Sequence, residues 1–236
     1  MPSPADIKDR LIVALDVPTI DEARGLVTRL GDSVTFYKVG LELVMQGGLD
    51  FAQELKAEGK RVFLDMKFLD IPNTVERAVA AAARIGVDLL TIHGHDTKTL
   101  HAASVGRTGS DLKILAVTVL TSLDQHDLEE QGIALEPASL VLKRARLTSE
   151  AGIDGVVASG QEARSIREAL PAPFLLVTPG IRLPGSDAGD QTRIATPESA
   201  IAAGADHIVV GRPITAADDP PTMACRFLDH IEAALR

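Results

Sequence analysis

Asp65, Lys67 and Asp70 lie close together in Val62-Phe63-Leu64-Asp65-Met66-Lys67-Phe68-Leu69-Asp70-Ile71-Pro72-Asn73-Thr74. Asp65 and Lys67 are two apart where an apolar run ends, a spacing that sends strand side chains to one face. Asp70 follows at the start of the next helical stretch, where unpaired N–H groups favour a carboxylate. Unlike and like charges held at close range in a shielded cleft shift one another's energies, and acid–base and electrostatic catalysis use that arrangement. Further polar residues end other apolar runs: Asp16, Lys38, His93 with His95, Thr121-Ser122, Gly180 to Arg182, and Gly211-Arg212. A single one of these reads as a solvated rim charge. The recurrence at run after run reads as a site.

The elements that must position these residues are short and repeated. Near-continuous Val/Ile/Leu/Phe runs occur at 11–15, 34–39, 61–65, 87–93, 112–120, 154–158, 174–178 and 206–210. Such runs suit strands buried on both faces, as in a parallel sheet. Between them lie stretches with helical spacing, for example Ile20, Ala23, Val27 and Leu30, or Val75, Val79, Ala82 and Ala83. Thr19, Ser159 and Thr196 stand where helices open, and Gly31, Gly59, Gly86, Gly152 and Gly204 where they close. Eight strands alternating with about eight helices predict a single-domain (β/α)8 barrel, the TIM barrel, over residues 1–236. A doubly wound sheet calls for a Gly-rich turn after its first strand, and Asp16-Val17-Pro18-Thr19 is not one.

A barrel puts its active site at the C-terminal strand ends, where the polar residues above fall. Gly211-Arg212 joins the last strand to a helix N-terminus, a place that favours a phosphate. The stretch Pro179–Ile194 lacks apolar periodicity and reads as a lid over that phosphate.

Composition narrows the function. Lys plus Arg number 24 and Asp plus Glu 33, so the net charge is −9 and binding of nucleic acid is disfavoured. With aromatics at 3%, base-stacking platforms are not expected. The single cysteine, Cys225, excludes an internal disulfide and multi-cysteine metal sites. There is no membrane-length apolar run and no signal-peptide pattern at the start, so a cytoplasmic enzyme is expected.

Asp65-Met66-Lys67-Phe68-Leu69-Asp70-Ile71-Pro72-Asn73-Thr74 resembles the active-site signature of the orotidine 5′-phosphate decarboxylase family. The resemblance runs the length of the chain. It takes in Leu15-Asp16, Tyr37-Lys38-Val39-Gly40, Thr118-Val119-Leu120-Thr121-Ser122, Thr178-Pro179-Gly180-Ile181-Arg182 with the loop to Gln191, and Val210-Gly211-Arg212-Pro213-Ile214. It implies decarboxylation of orotidine 5′-monophosphate to UMP in pyrimidine biosynthesis, without metal or cofactor. It also implies a homodimer in which Asp70 and Thr74 serve the neighbouring subunit. On that resemblance Lys38, Asp65, Lys67 and Asp70 form an alternating charge array, with Lys67 protonating C6 of the pyrimidine. Asp16 and Lys38 would hold ribose hydroxyls, with Thr121 and Ser122 near the base. Arg182, Gln191, Gly211 and Arg212 would grip or border the phosphate, beside Pro179.

Two other functions compete. Sugar-phosphate decarboxylases and synthases that use Mg²⁺ share the D-x-K-x-x-D core, but they resemble each other in carrying an acidic metal ligand at the position of Lys38. A lysine there repels a divalent cation. A catalytically silent nucleotide-binding barrel would have little reason to keep close charges facing a cleft. His93-Gly94-His95 has metal-pair spacing, but no matching third ligand stands out, and His93 reads as a packing or hydrogen-bonding residue. His207 reads as buried within the last strand, and the acidic stretch 122–135 as a solvated loop helix.

Overall fold

The computed structural model describes residues 3–185 and 193–236, so Gln191 and the middle of the expected lid lie outside the described residues. Eight strands form a closed parallel barrel in sequence order: β1 (Leu11–Ala14), β2 (Phe36–Gly40), β3 (Arg61–Phe68), β4 (Leu89–His93), β5 (Lys113–Val117), β6 (Gly155–Val157), β7 (Leu175–Thr178) and β8 (His207–Val210). β8 closes on β1 through Leu11 beside Ile208 and Val13 beside Val210. Every strand is flanked on both sides, so no edge is left for a second chain to extend.

The period of two divides each strand between two cores. Ile12, Ala14, Phe36, Phe63, Leu89, Leu115, Val177 and Val209 point inward and fill the barrel. Leu11, Val13, Tyr37, Val39, Leu64 and Leu90 point outward and pack beneath the helices. Glycine marks a close approach at Gly155, where a Cβ would stand 2.2 Å from the carbonyl oxygen of Leu175. No side chain fits between β6 and β7 there.

The bottom of the barrel carries a repeat of its own. Gly86-Val87-Asp88, Gly152-Ile153-Asp154 and Gly204-Ala205-Asp206 each precede an even-numbered strand. Each carboxylate accepts from the second amide of the preceding odd-numbered strand: Val62 at 2.7 Å, Ile114 at 2.9 Å and Leu176 at 2.7 Å. Each also takes a basic side chain, namely Lys56, Arg107 or Arg167. The charges here staple strand pairs at the end opposite the polar mouth, where barrel residues serve stability.

Some boundaries differ from those expected. Helices outnumber eight among the described residues, because short helices such as Leu41–Val44, Gln125–Glu130 and Arg212–Thr215 decorate the connections. The helix Gln125–Glu130 is the expected loop helix, closed by a reciprocal cap between Asp124 and Asp127. Ser159 accepts from the amide of Gln161 and caps a turn, while the helix begins later, at Ala163. β5 ends at Val117 rather than Leu120, and β3 runs on past Asp65 to Phe68. His207 sits at the foot of β8 with its ring edge-on to Phe36 and its Nδ1–H donating to the Asp9 carbonyl at 2.8 Å.

Candidate active site

The inward positions that fill the barrel with apolar side chains become polar one step higher. Ile12 and Ala14 lead up to Asp16, Phe36 to Lys38, Phe63 to Asp65, and Leu89 to Thr91. Their neighbours in register fix their heights, since Ala14 pairs with Lys38 and Gly40 with Asp65. The result is a cavity of about 500 Å³ at the C-terminal mouth. Asp16, Lys38, Asp65, Lys67, Thr121, Pro179, Arg182, Gly211 and Arg212 all line it.

Four charged side chains meet there in a chain of contacts. Lys67 Nζ donates to Asp65 Oδ2 at 2.7 Å, and Lys38 Nζ stands 3.6 Å from the same oxygen. Lys38 Nζ also donates to Asp16 Oδ1 at 2.7 Å. Lys38 is buried, and the carboxylates of Asp16 and Asp65 stand beside its Nζ. Burial pushes the Asp65 carboxyl up, but Lys38, Lys67 and a hydrogen bond from Thr91 outweigh it and hold the group below the usual carboxylate range. Asp65 is therefore an anion at neutral pH, and the lysines beside it are held by charge as well as packing.

Lys67 reaches this position by an unexpected route. A regular extended strand was the expectation for Asp65 and Lys67. Instead the β3–β4 register shifts between Leu64 and Phe68, and Lys67 adopts φ 50°. It is the one non-glycine residue with positive φ among the described residues. A left-handed lysine costs about 1–2 kcal/mol, and such strain persists only where surrounding contacts hold it. The extra residues of the bulge re-aim the ammonium toward Asp65 and the cavity.

Asp70 stands two residues before the helix Pro72–Ile85, near the helix start as expected. It is exposed, accepts from the adjacent Ile71 amide, and leaves the helix Pro72–Ile85 with Ile71 at its N-cap position. No ion pair within 4 Å joins it to Lys67 of the same chain. Asp70, the exposed Thr74 and the exposed Ser122 lie outside the cavity lining.

At the opposite end, Gly180 (φ 74°) turns the chain after β7, and Gly211 opens the helix Arg212–Thr215. Arg182 and Arg212 bring two cations to that end of the cavity. The two ends of the connection after β7 are tied together by hydrogen bonds between Gly180 and Ala195 and between Arg182 and Ala195. Sequence reasoning missed Arg193, which pairs with buried Glu162 at 2.7 Å and donates to the carbonyls of Val119 and Leu120. It also missed Thr91, a fully buried polar residue in an apolar run. His93 and His95 stack with ring centroids 4.5 Å apart. Burial, Lys67 and Arg144 keep His93 below its ordinary pKa, so its ring is neutral at pH 7.

The chain matches the Orotidine 5'-phosphate decarboxylase / HUMPS family over residues 9–227. It belongs to that family. A protein of Methylorubrum extorquens (strain PA1) named orotidine 5'-phosphate decarboxylase is 53% identical over 234 residues, covering 99% of this chain and 100% of the relative. One of the same name from Bradyrhizobium sp. is 50% identical over 235 residues, covering 100% of this chain and 96% of the relative. The crystal structure of orotidine 5'-phosphate decarboxylase from Lactobacillus acidophilus superposes with a TM-score of 0.83 at 36% identity, covering 94% of this chain and 98% of that one. Membership of that family accounts for the closed barrel.

Proposed function

We propose that this chain decarboxylates orotidine 5′-monophosphate to UMP, as a homodimer of the cytoplasm, in pyrimidine biosynthesis. The observation that carries this reading is the Lys38–Asp65–Lys67 cluster at one end of a cavity that holds Arg182, Gly211 and Arg212 at the other. A nucleotide laid between them has its phosphate against the arginines and its pyrimidine against Lys67. On this reading Asp16 and Lys38 hold ribose hydroxyls and Thr121 lies near the base, while Ser122, outside the cavity lining, would have to approach the base from the rim.

In the reaction the bond between C6 and the carboxylate carbon breaks, CO2 leaves, and the electron pair stays on C6 in the ring plane. Lys67 faces that pair as a fixed cation and then gives it a proton, so one group supplies electrostatic stabilisation and general acid. The lysine regains its proton from solvent. The substrate carboxylate, seated beside Asp65, adds a negative charge; as neutral CO2 leaves, that charge passes to C6, away from Asp65, and the proton from Lys67 neutralises it there. The chemistry uses charges of the chain itself.

The exposed position of Asp70 supports a site shared across a dimer. Leu41, Met45, Leu69 and Ile71 follow the adjacent strands β2 and β3 and are 55%, 81%, 51% and 67% exposed. Apolar side chains this open beside a charged rim suit an interface with a second copy. Asp70 and Thr74 would then complete the partner's charge array. The Mg²⁺-dependent reading calls for an acidic ligand at position 38, where this chain instead places the Lys38 side chain, its Nζ 2.7 Å from Asp16. Incubation of the purified chain with orotidine 5′-monophosphate is expected to release CO2 and UMP in equal amounts. Unchanged substrate would overturn the reading.

A further inference from the structure

The bulge in β3 creates a problem that the neighbouring strand solves. Between Leu64 and Phe68 the ladder with β4 loses its register, since Leu64 pairs with Leu90 but Phe68 pairs with Ile92. Asp65, Met66 and Lys67 must therefore be accommodated opposite a single residue, Thr91. Its hydroxyl does two things at once: it accepts from the Lys67 amide at 2.9 Å and donates to Asp65 Oδ1 at 2.8 Å. The side chain is fully buried, so no water competes for either bond.

Both bonds are directional and they depend on each other. The donated proton must point at Asp65, which leaves an oxygen lone pair facing the Lys67 amide. That amide belongs to the residue held at φ 50°. Asp65 Oδ2, the other oxygen of the same carboxylate, is the one that receives Lys67 Nζ at 2.7 Å. A closed loop results, running from the Thr91 hydroxyl to the Asp65 carboxylate, to the Lys67 ammonium, and through the Lys67 main chain back to Thr91.

We infer that Thr91 is a positioning residue for Lys67: its hydroxyl locks the bulged backbone and the Asp65 carboxylate together, and so aims the ammonium at the reacting carbon. The inference rests on the function proposed above. Thr91 itself is absent from the cavity lining, and its influence reaches the substrate only through Asp65 and Lys67.

Two substitutions separate this role from mere packing. Thr91→Val keeps the shape and removes the hydroxyl, whereas Thr91→Ser keeps the hydroxyl and removes the methyl group. Thr91→Val is expected to lower kcat about 10- to 100-fold, the worth of one hydrogen bond to a charged group. UMP affinity should stay unchanged, because the phosphate end is untouched. Thr91→Ser should recover most of the wild-type kcat. The inference fails if Thr91→Val retains wild-type kcat, if Thr91→Ser loses as much as Thr91→Val, or if the loss appears in UMP affinity instead. Should the valine variant not fold, Thr91→Ala against Thr91→Ser makes the same comparison, since the two differ by one hydroxyl. Wild-type protein assayed alongside separates the two claims. Inactive wild type overturns the proposed function and this inference with it, while active wild type with undiminished Thr91→Val overturns this inference alone.

Discussion

In the mechanism proposed above, replacing Lys67 with alanine removes both the cation and the proton donor from C6. The size of the loss can be worked from the site. An ammonium about 3 Å from a developing carbanion, at an effective dielectric of about 20, is worth about 5.5 kcal/mol, or about 10,000-fold in rate. Loss of a positioned acid contributes a further ~100- to 10,000-fold. Lys38 remains as a second cation, 3.6 Å from Asp65, and offsets part of the first contribution. A fall in kcat of at least about 10,000-fold is therefore expected. The fold should survive, because Asp65 keeps its contacts to Lys38 and Thr91. UMP should still bind through Arg182, Gly211 and Arg212. The assay is the decay of substrate absorbance for turnover, with calorimetric titration of UMP for binding. Residual kcat within tenfold of wild type would refute the assignment of Lys67, and lost UMP binding would refute the division of the cavity into two ends.

The proposed sharing of the site across a dimer predicts complementation: Asp70→Ala subunits mixed with Lys67→Ala subunits should regain activity through the one intact site of each hybrid dimer. Absence of rescue despite measured subunit exchange would count against it. Gly40→Ala places a methyl group 3.0 Å from both Asp16 Oδ1 and Lys38 Nζ. These are side-chain ends that can yield, so the thermal midpoint should hold while kcat/KM falls by up to ~100-fold as the pair is displaced. Equal damage to stability and activity would contradict that. Burial holds the His207 pKa below its ordinary value of 6.5, so below that pH the unfolded chain binds more protons than the folded one. Stability should rise with pH through that region and be lost on acidification, and His207→Gln should flatten the slope of the thermal midpoint against pH. An unaltered slope would remove His207 from the explanation.

The strands were legible because parallel strands buried on both faces leave continuous apolar runs. The same rule misled at Thr118-Val119-Leu120, which is equally apolar yet lies beyond β5, with Val119 and Leu120 lining the cavity. Asp65, Lys67, Lys38 and Asp16 were legible because charges interrupt those runs. The bulge was not. Met66-Lys67-Phe68 contains no glycine to announce a positive φ, and the register shift exists only relative to β4. Thr91 was hidden for a related reason: a threonine among Leu89, Leu90 and Ile92 is an ordinary strand residue until its neighbour across the ladder is known. Arg193 and Glu162 are far apart in sequence, and their pairing depends on how the connections after β6 and β7 fold over the mouth. Gly86, Gly152 and Gly204 read only as helix stops; the carboxylate two residues after each acquires its meaning once it is known which strands are neighbours.

The central claim is that charges of this chain decarboxylate the nucleotide. Its most direct test follows the ultraviolet absorbance of orotidine 5′-monophosphate with purified protein, with and without excess EDTA. The account predicts decay of the substrate band at the same rate in both, with UMP as the product. A rate abolished by EDTA and restored by Mg²⁺, or no decay at all, would contradict it.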